Sequence, residues 1–253
     1  MYINTSGIVL REVTYKDSSK ILTVLTGSDG KLTVSAHGAH RKNSKLAAVT
    51  QLLVFSEMTL VSRKDRWTLT EARSVEQFLG LRDDITLLAL GAYIAELTEA
   101  IADEDCPNPA LLPLCLNALY ALSEKLKTPG FVKPVFELRL MADSGFAPLV
   151  EHCADCGHND PEHAFVDVAG GTINCIDCGP PEDITLSRGA LSAVRYIINC
   201  DAKKLFSFTL GDEALRELTV VSEGYLLAHL DRQFRTLDYY KKIISYDHGV
   251  TGI

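Results

Sequence analysis

The chain has 253 residues, a formal net charge of −8, and 47% apolar against 23% charged side chains. That length holds one large domain or two to three small modules with a real core, and a mean hydropathy of +0.08 excludes disordered, collagen-like and membrane-embedded classes. The overall charge hides a division: residues 1–80 carry 11 Lys and Arg against 7 Asp and Glu, whereas residues 81–253 carry 14 against 26. Such asymmetry marks a localised anion-binding face within an otherwise acidic protein.

From Ile3 to about Phe78, short runs rich in Val, Ile, Leu and Thr alternate with turn residues. Strands are predicted over Ser6–Thr14, Ile21–Thr26, Lys31–Ala36, Leu52–Val61 and Trp67–Val75, with Asp29-Gly30 as a hairpin turn. Five short strands with one long connection, Gly38–Gln51, suit a small barrel.

After Leu81 the period becomes helical. Leu87, Leu90, Ile94, Leu97 and Ile101 follow Asp83 and Asp84 as caps, and Leu112, Cys115, Leu119, Leu122 and Leu126 follow Asn108-Pro109. Pro129-Gly130 is read as the stop of that helix, and a third is predicted over Phe131–Asp143 with Pro134 in its first turn. Helices resume at Ser187 and run again over Asp212–Leu230, leaving a tail with aromatic and basic residues. The longest uncharged stretch, Cys106–Ser123, is broken by Pro107, Pro109 and Pro113, so no membrane span is predicted. Met1–Val9 lacks a basic leader, and the expected location is the cytoplasm.

The richest chemistry lies at 150–181. Cys153, Cys156, Cys175 and Cys178 form C-x2-C-x18-C-x2-C, a spacing that brings four thiolates around one zinc ion; reduced or redox-active thiols are the alternative. Gly157 and Gly179 stand where each knuckle needs a residue free of Cβ, and Phe165 to Ile173 reads as a ribbon hairpin. Four cysteines close the metal shell, which disfavours catalysis there. His152, His158 and His163 are read as solvent-facing, and Cys106, Cys115 and Cys200 as small hydrophobes. Gly27–Thr33 lacks the spacing of a phosphate loop, Asp103, Glu104 and Asp105 read as solvated charge, and no nucleophile and base pair is found, so no enzyme is expected.

Two cationic clusters fall in barrel loops. Arg41, Lys42 and Lys45, near His37 and His40, lie in the long connection; Arg63, Lys64 and Arg66 precede the only tryptophan, Trp67. Cations beside an aromatic ring suit single-stranded nucleic acid, while a solvated turn beside a core tryptophan is the plainer alternative.

G-I-V-L-R-E at Gly7, A-H-G-A-H-R-K-N-S at Ala36, D-S-G-F-A-P at Asp143, the four cysteines and a terminal helical segment together resemble the bacterial RecO recombination-mediator family over nearly the whole chain. The resemblance implies an α+β multidomain protein. It has an OB-fold barrel over residues 1–80 and an α-helical domain over 81–253, with an inserted four-cysteine zinc ribbon at 150–181 holding one structural Zn2+. It implies DNA repair by binding single- and double-stranded DNA, annealing strands, and acting with RecR and RecF to load RecA onto DNA coated by single-stranded DNA-binding protein. Arg41, Lys42, Lys45, Arg63, Lys64, Arg66 and Trp67 are then the expected DNA contacts. Phe131, Lys133, Phe136 and Arg139 are the candidate groove for the acidic, hydrophobic-ended tail of single-stranded DNA-binding protein. The competing readings are a zinc-ribbon transcription or replication accessory factor working through protein contacts, and a metal-assisted nuclease.

Overall fold

The computed structural model describes residues 1–63, 66–179 and 184–250, except for the side chains of Arg63 and residues 247–250. It divides into two compact units, Met1–Lys125 with the chain from Phe234 onward, and Leu126–Gln233.

In the first unit, β1 (Tyr2–Tyr15), β2 (Ser19–Thr26), β3 (Lys31–Ala36), β4 (Phe55–Arg63) and β5 (Arg66–Glu76) close a barrel in the order β1-β2-β3-β5-β4. This is an OB-like arrangement. β1 is longer than predicted because it serves two partners, with Tyr2–Ile8 pairing with β4 and Gly7–Tyr15 with β2. An irregularity between Val9 and Arg11 turns the strand between them, as bulges do. β4 starts later than predicted: Leu53 has φ +66°, outside the strand region. At the Asp29-Gly30 turn, Gly30 has φ +71° and the N–H of Thr26 donates to its carbonyl at 2.9 Å.

Alternation places Val9, Leu22, Val24, Leu32, Val34, Met58, Leu60 and Leu69 inside the barrel. Outside it, α1 (Ile85–Ile101) packs with α2 (Leu111–Ser123) through Leu90, Ile94, Leu97, Cys115, Leu119 and Leu122, all fully buried. The Asp84 carboxylate caps α1, accepting from the N–H groups of Thr86 at 2.7 Å and Leu87 at 3.4 Å. Asn108 is not the residue that precedes α2; its side chain accepts from the N–H of Ala110 in a turn, and α2 begins after Ala110. Burial pushes the Cys115 thiol up to about 12, only partly offset by Thr98, so this cysteine is an inert hydrophobe. The tail folds as α6 (Arg235–Val250), which returns to α1: Phe234 meets Tyr93 edge-on at 6.1 Å, and Glu96 accepts from the N–H and hydroxyl of Thr236.

The second unit is built on α3 (Pro129–Asp143), flanked by α4 (Arg188–Asn199) and α5 (Asp212–Leu230). Pro129 opens α3 at its first position rather than stopping the preceding helix, where a missing N–H costs nothing; Pro134 consequently falls inside the helix rather than in its first turn. α3 is buried almost all round, and its two ionisable interior groups are paired. The Lys133 ammonium lies 2.8 Å from Glu137 and 2.9 Å from Glu223, and the Ser222 hydroxyl donates to the other Glu137 oxygen at 2.8 Å. Between α3 and α4 in sequence, β6 (His163–Asp167), β7 (Thr172–Cys175) and β8 (Ile184–Ser187) form a sheet in the order β7-β6-β8. The hairpin is as predicted, and β8 is an additional strand.

Burial alone pulls the Lys133 amine down, but the carboxylates of Glu137 and Glu223 outweigh it and hold it above its ordinary 10.5. A raised lysine contributes fully below the unfolded value and loses that contribution only as pH rises through the folded one, so the pair is complete at neutral pH. Lys133→Met leaves the fully buried Glu137 without its cation and is expected to cost about 3–5 kcal/mol in urea denaturation. Adding Glu137→Leu should recover most of that loss.

Candidate nucleic-acid interface and metal centre

The four cysteine sulfurs of the second unit lie within 4.8 Å of one another. A tetrahedron with metal–sulfur bonds of about 2.3 Å has edges of about 3.8 Å. The Cys156–Cys175 separation, 3.6 Å, matches that edge. Four soft donors at this spacing fit one metal ion, because a cation among them relieves the repulsion of neighbouring thiolates. Two knuckles present them. In the first, the N–H of Gly157 donates to the Cys153 carbonyl at 3.0 Å and Gly157 has φ +74°. In the second, the N–H groups of Cys178 and Gly179 donate to Cys175, and a Cβ on Gly179 would lie 2.6 Å from Phe165. The two glycines thus answer different constraints, backbone conformation in one knuckle and close packing in the other.

The surroundings favour a thiolate at Cys153. Backbone N–H groups of Cys156, then Cys175 and Asp155, outweigh burial and draw its thiol down to about 6; the Cys175 N–H lies 3.3 Å from the sulfur. Cys178 shifts the other way because it shares hydrogen bonds with the crowded sulfurs of Cys175 and Cys156. Arg195 on α4 fastens the loop that carries the first knuckle. Its guanidinium donates to the carbonyls of Val150 at 2.7 Å, Glu151 at 2.8 Å and Asn159 at 2.8 Å. Sequence reasoning missed Arg195, since a lone helical arginine carries no motif. His152, His158 and His163 are exposed, and only His163 is in a strand.

In the first unit, the β1–β2 turn and the β3–β4 connection leave the same end of the barrel: Lys20 sits opposite Ala36, and the N–H of His40 donates to the Ser18 carbonyl at 3.1 Å. Arg41, Lys42 and Lys45 are exposed in successive turns of that connection. Arg66, also exposed, opens β5, which enters beside β3 with Trp67 opposite Val34. Among the described residues these four cations have no carboxylate within ion-pair distance, whereas Arg11, Lys20 and Arg73 are paired with Glu99, Glu12 and Glu57. Lys64 and the Arg63 side chain lie outside the described residues. Trp67 is half-buried and packs against the barrel core, so much of its ring is committed there. An aromatic that sequence reasoning passed over, Tyr15 at the end of β1, is 47% exposed with the Lys16 ammonium 5.3 Å from its ring centre. Its place at the end of a strand, next to Lys16, was the available signal.

The outward side of β2, a common ligand surface of such barrels, is covered. Thr23 and Leu25 are buried; Glu99 of α1 accepts from Arg11 at 2.9 Å and Thr23 at 3.4 Å, and its carbonyl accepts from Lys31 at 3.0 Å. The backbone of Asp103–Asp105 bonds to Lys31, while the three carboxylates stay exposed. A cavity of about 650 Å³ opens where Asn4, Thr59, Glu57 and Arg73 meet, and its charges are mixed rather than basic.

The expected groove on α3 is not formed by its four residues. Phe131, Lys133 and Phe136 are buried, Phe131 packs on Phe208, and Lys133 is neutralised by two carboxylates. Arg139 is held by Asp143 and by the carbonyls of Ile197 and Cys200. An all-round apolar helix is a core helix, and the pattern of α3 belongs to that class.

An OB-like barrel with exposed cations on its loops, joined in sequence to a helical unit with a four-cysteine metal site, defines a multidomain α+β protein. Residues 1–78 match the model for the recombination protein O N terminal and residues 82–238 that for the recombination protein O C terminal. The chain is 33% identical to DNA repair protein RecO of Acetivibrio thermocellus over 96% of its own length and 97% of that protein. It is 31% identical to the same-named protein of Caldicellulosiruptor bescii over 95% and 98%, and 30% identical to that of Bacillus subtilis over 89% and 88%. The chain belongs to the RecO family of DNA repair and recombination proteins.

Removing a ligand or its support should be separable. Cys175→Ser is expected to abolish stoichiometric metal in the purified protein, measured by atomic emission. Arg195→Ala keeps all four sulfurs but loses three charge-assisted bonds, destabilising the unit by about 2–4 kcal/mol and accelerating metal release to a chelator.

Proposed function

We propose that the chain is a cytoplasmic, nucleoid-associated recombination mediator. It binds single- and double-stranded DNA, anneals complementary strands, and works with RecR and RecF to load RecA onto DNA coated by single-stranded DNA-binding protein. The observation that carries this reading is the set of exposed cations, Arg41, Lys42 and Lys45 in a loop of an OB-like barrel and Arg66 at the start of β5, that have no carboxylate partner among the described residues. Cations free of internal partners neutralise phosphates without first breaking an ion pair, and they release the counterions that make binding favourable. Tyr15, beside Lys16, adds a ring on which an unpaired base can stack.

Annealing follows from charge screening. Two strands held near one cationic surface repel each other less and meet at a raised local concentration, while base pairing supplies the net free energy. No nucleotide hydrolysis or covalent step is required of this protein. We assign Zn2+ to the cysteine site: Cys153, Cys156, Cys175 and Cys178 would supply all four ligands of a tetrahedral ion, leaving no position for a reacting water. Its contribution is to hold the ribbon folded.

The triple variant Arg41→Glu, Lys42→Glu, Lys45→Glu is expected to bind oligothymidine more weakly, with the slope of log K against log salt reduced by about 2, at roughly 0.7 for each phosphate no longer neutralised. Annealing of strands precoated with single-stranded DNA-binding protein should fall with it. Unchanged affinity and slope in the folded variant defeat the reading.

A further inference from the structure

The barrel loops leave one basic and aromatic segment unused, the exposed side of α6. Arg235, Tyr239, Lys242 and Tyr246 recur at spacings of four, three and four, which sets them within roughly 60° of one another on a helix of 3.6 residues per turn. Leu237 and Tyr240, on the opposite side, are buried. Tyr239 is 52% exposed and Tyr246 74%, and Arg235 and Lys242 are exposed with no carboxylate partner among the described residues. Asp238 flanks the row.

Tyrosine is intermediate in burial, and on this helix Tyr240 turns inward while Tyr239 and Tyr246 face solvent between cations. The helix is held in that orientation by the bonds of Thr236 to Glu96 and the contact of Phe234 with Tyr93. Seven residues separate the two rings and likewise the two cations, a rise of about 10.5 Å. Three steps of a stacked strand, at about 3.4 Å each, cover the same distance. Solvent-facing rings need an accessible base face, which a single strand offers and a duplex does not.

We propose that the outward face of α6 is a second contact for single-stranded DNA, with bases stacking on Tyr239 and Tyr246 and phosphates meeting Arg235 and Lys242. This rests on the reading of the chain as a DNA-binding protein and extends it. The stripe belongs to a different element from the barrel loops: α6 packs on α1 and is bound to it through Glu96, whereas Arg41, Lys42 and Lys45 lie in the β3–β4 connection. One unit then has room for two strands, the minimum that annealing by a single chain requires.

The test uses the full-length protein, fluorescence anisotropy with labelled oligothymidine and with a rigid duplex, and a melting curve for each variant. Tyr239→Ala, Tyr246→Ala is expected to lower single-strand affinity by roughly tenfold or more and to leave duplex affinity within about threefold. Arg235→Glu, Lys242→Glu should flatten the salt slope for single strands by about 1.4. If both α6 variants bind single strands as the parent does while the barrel-loop triple variant is weakened, the α6 contact is overturned and the barrel reading stands. If the loop variant and the α6 variants all bind as the parent does, both readings fall. A tyrosine variant that loses self-association in sedimentation but keeps full single-strand affinity also overturns the proposal, assigning the stripe to a second copy of the chain.

Discussion

Two residue pairs close the barrel. Among the described residues, Val34 opposite Trp67 and Ser35 opposite Thr68 make up the parallel pairing between β3 and β5. Without them five strands would present two open edges, each a row of unpaired backbone groups. With them the barrel is closed, and the start of β5 is brought beside β3. The position of Arg66, at the opening of β5, depends on this short seam. Trp67 sits at the seam and packs inward, which explains why the only tryptophan serves closure more than contact.

Glu99 then directs where a ligand can approach. By accepting from Arg11 and Thr23 while its carbonyl takes the Lys31 ammonium, it seats the end of α1 on the outside of β2. Arg11 and Lys31 are committed to Glu99, whereas among the described residues Arg41, Lys42 and Lys45 have no carboxylate within ion-pair distance. The basic excess of the first eighty residues is therefore concentrated by subtraction: acidic groups neutralise the barrel wall and leave the loops charged. In the second unit the same pairing of charge takes an interior form, with Lys133 between two carboxylates and Arg139 and Arg195 capping carbonyls.

Much of this was legible in the residues, for identifiable reasons. The four cysteines and their glycines state a metal site by spacing alone, and the alternation of Ile21–Thr26 and the Asp84 cap state a strand and a helix. Long-range partners were not legible. The length of β1 reflects two different neighbours, the third ribbon strand pairs across the chain with β6, and Pro129 opens a helix that local rules read as a stop. The α3 groove failed for the same cause: a lysine between phenylalanines looks amphipathic until Glu223, ninety positions away, is brought to meet it. Trp67 looked available because sequence gives no burial, and Tyr15 was passed over because its neighbours are set by the barrel.

The return of α6 to α1 has a consequence for how the polypeptide matures. Tyr93 is fully buried, yet the ring that covers it, Phe234, is encoded 141 positions later. At about 5–20 residues per second, a ribosome exposes that flank of α1 on the order of ten seconds before its cover exists. The barrel, built from contiguous strands, is free to form at once, whereas the apolar patch beside it waits for the last helix. Nascent chains stalled between these two points would carry an assembled barrel and a sticky flank, a form suited to recognition by a general chaperone.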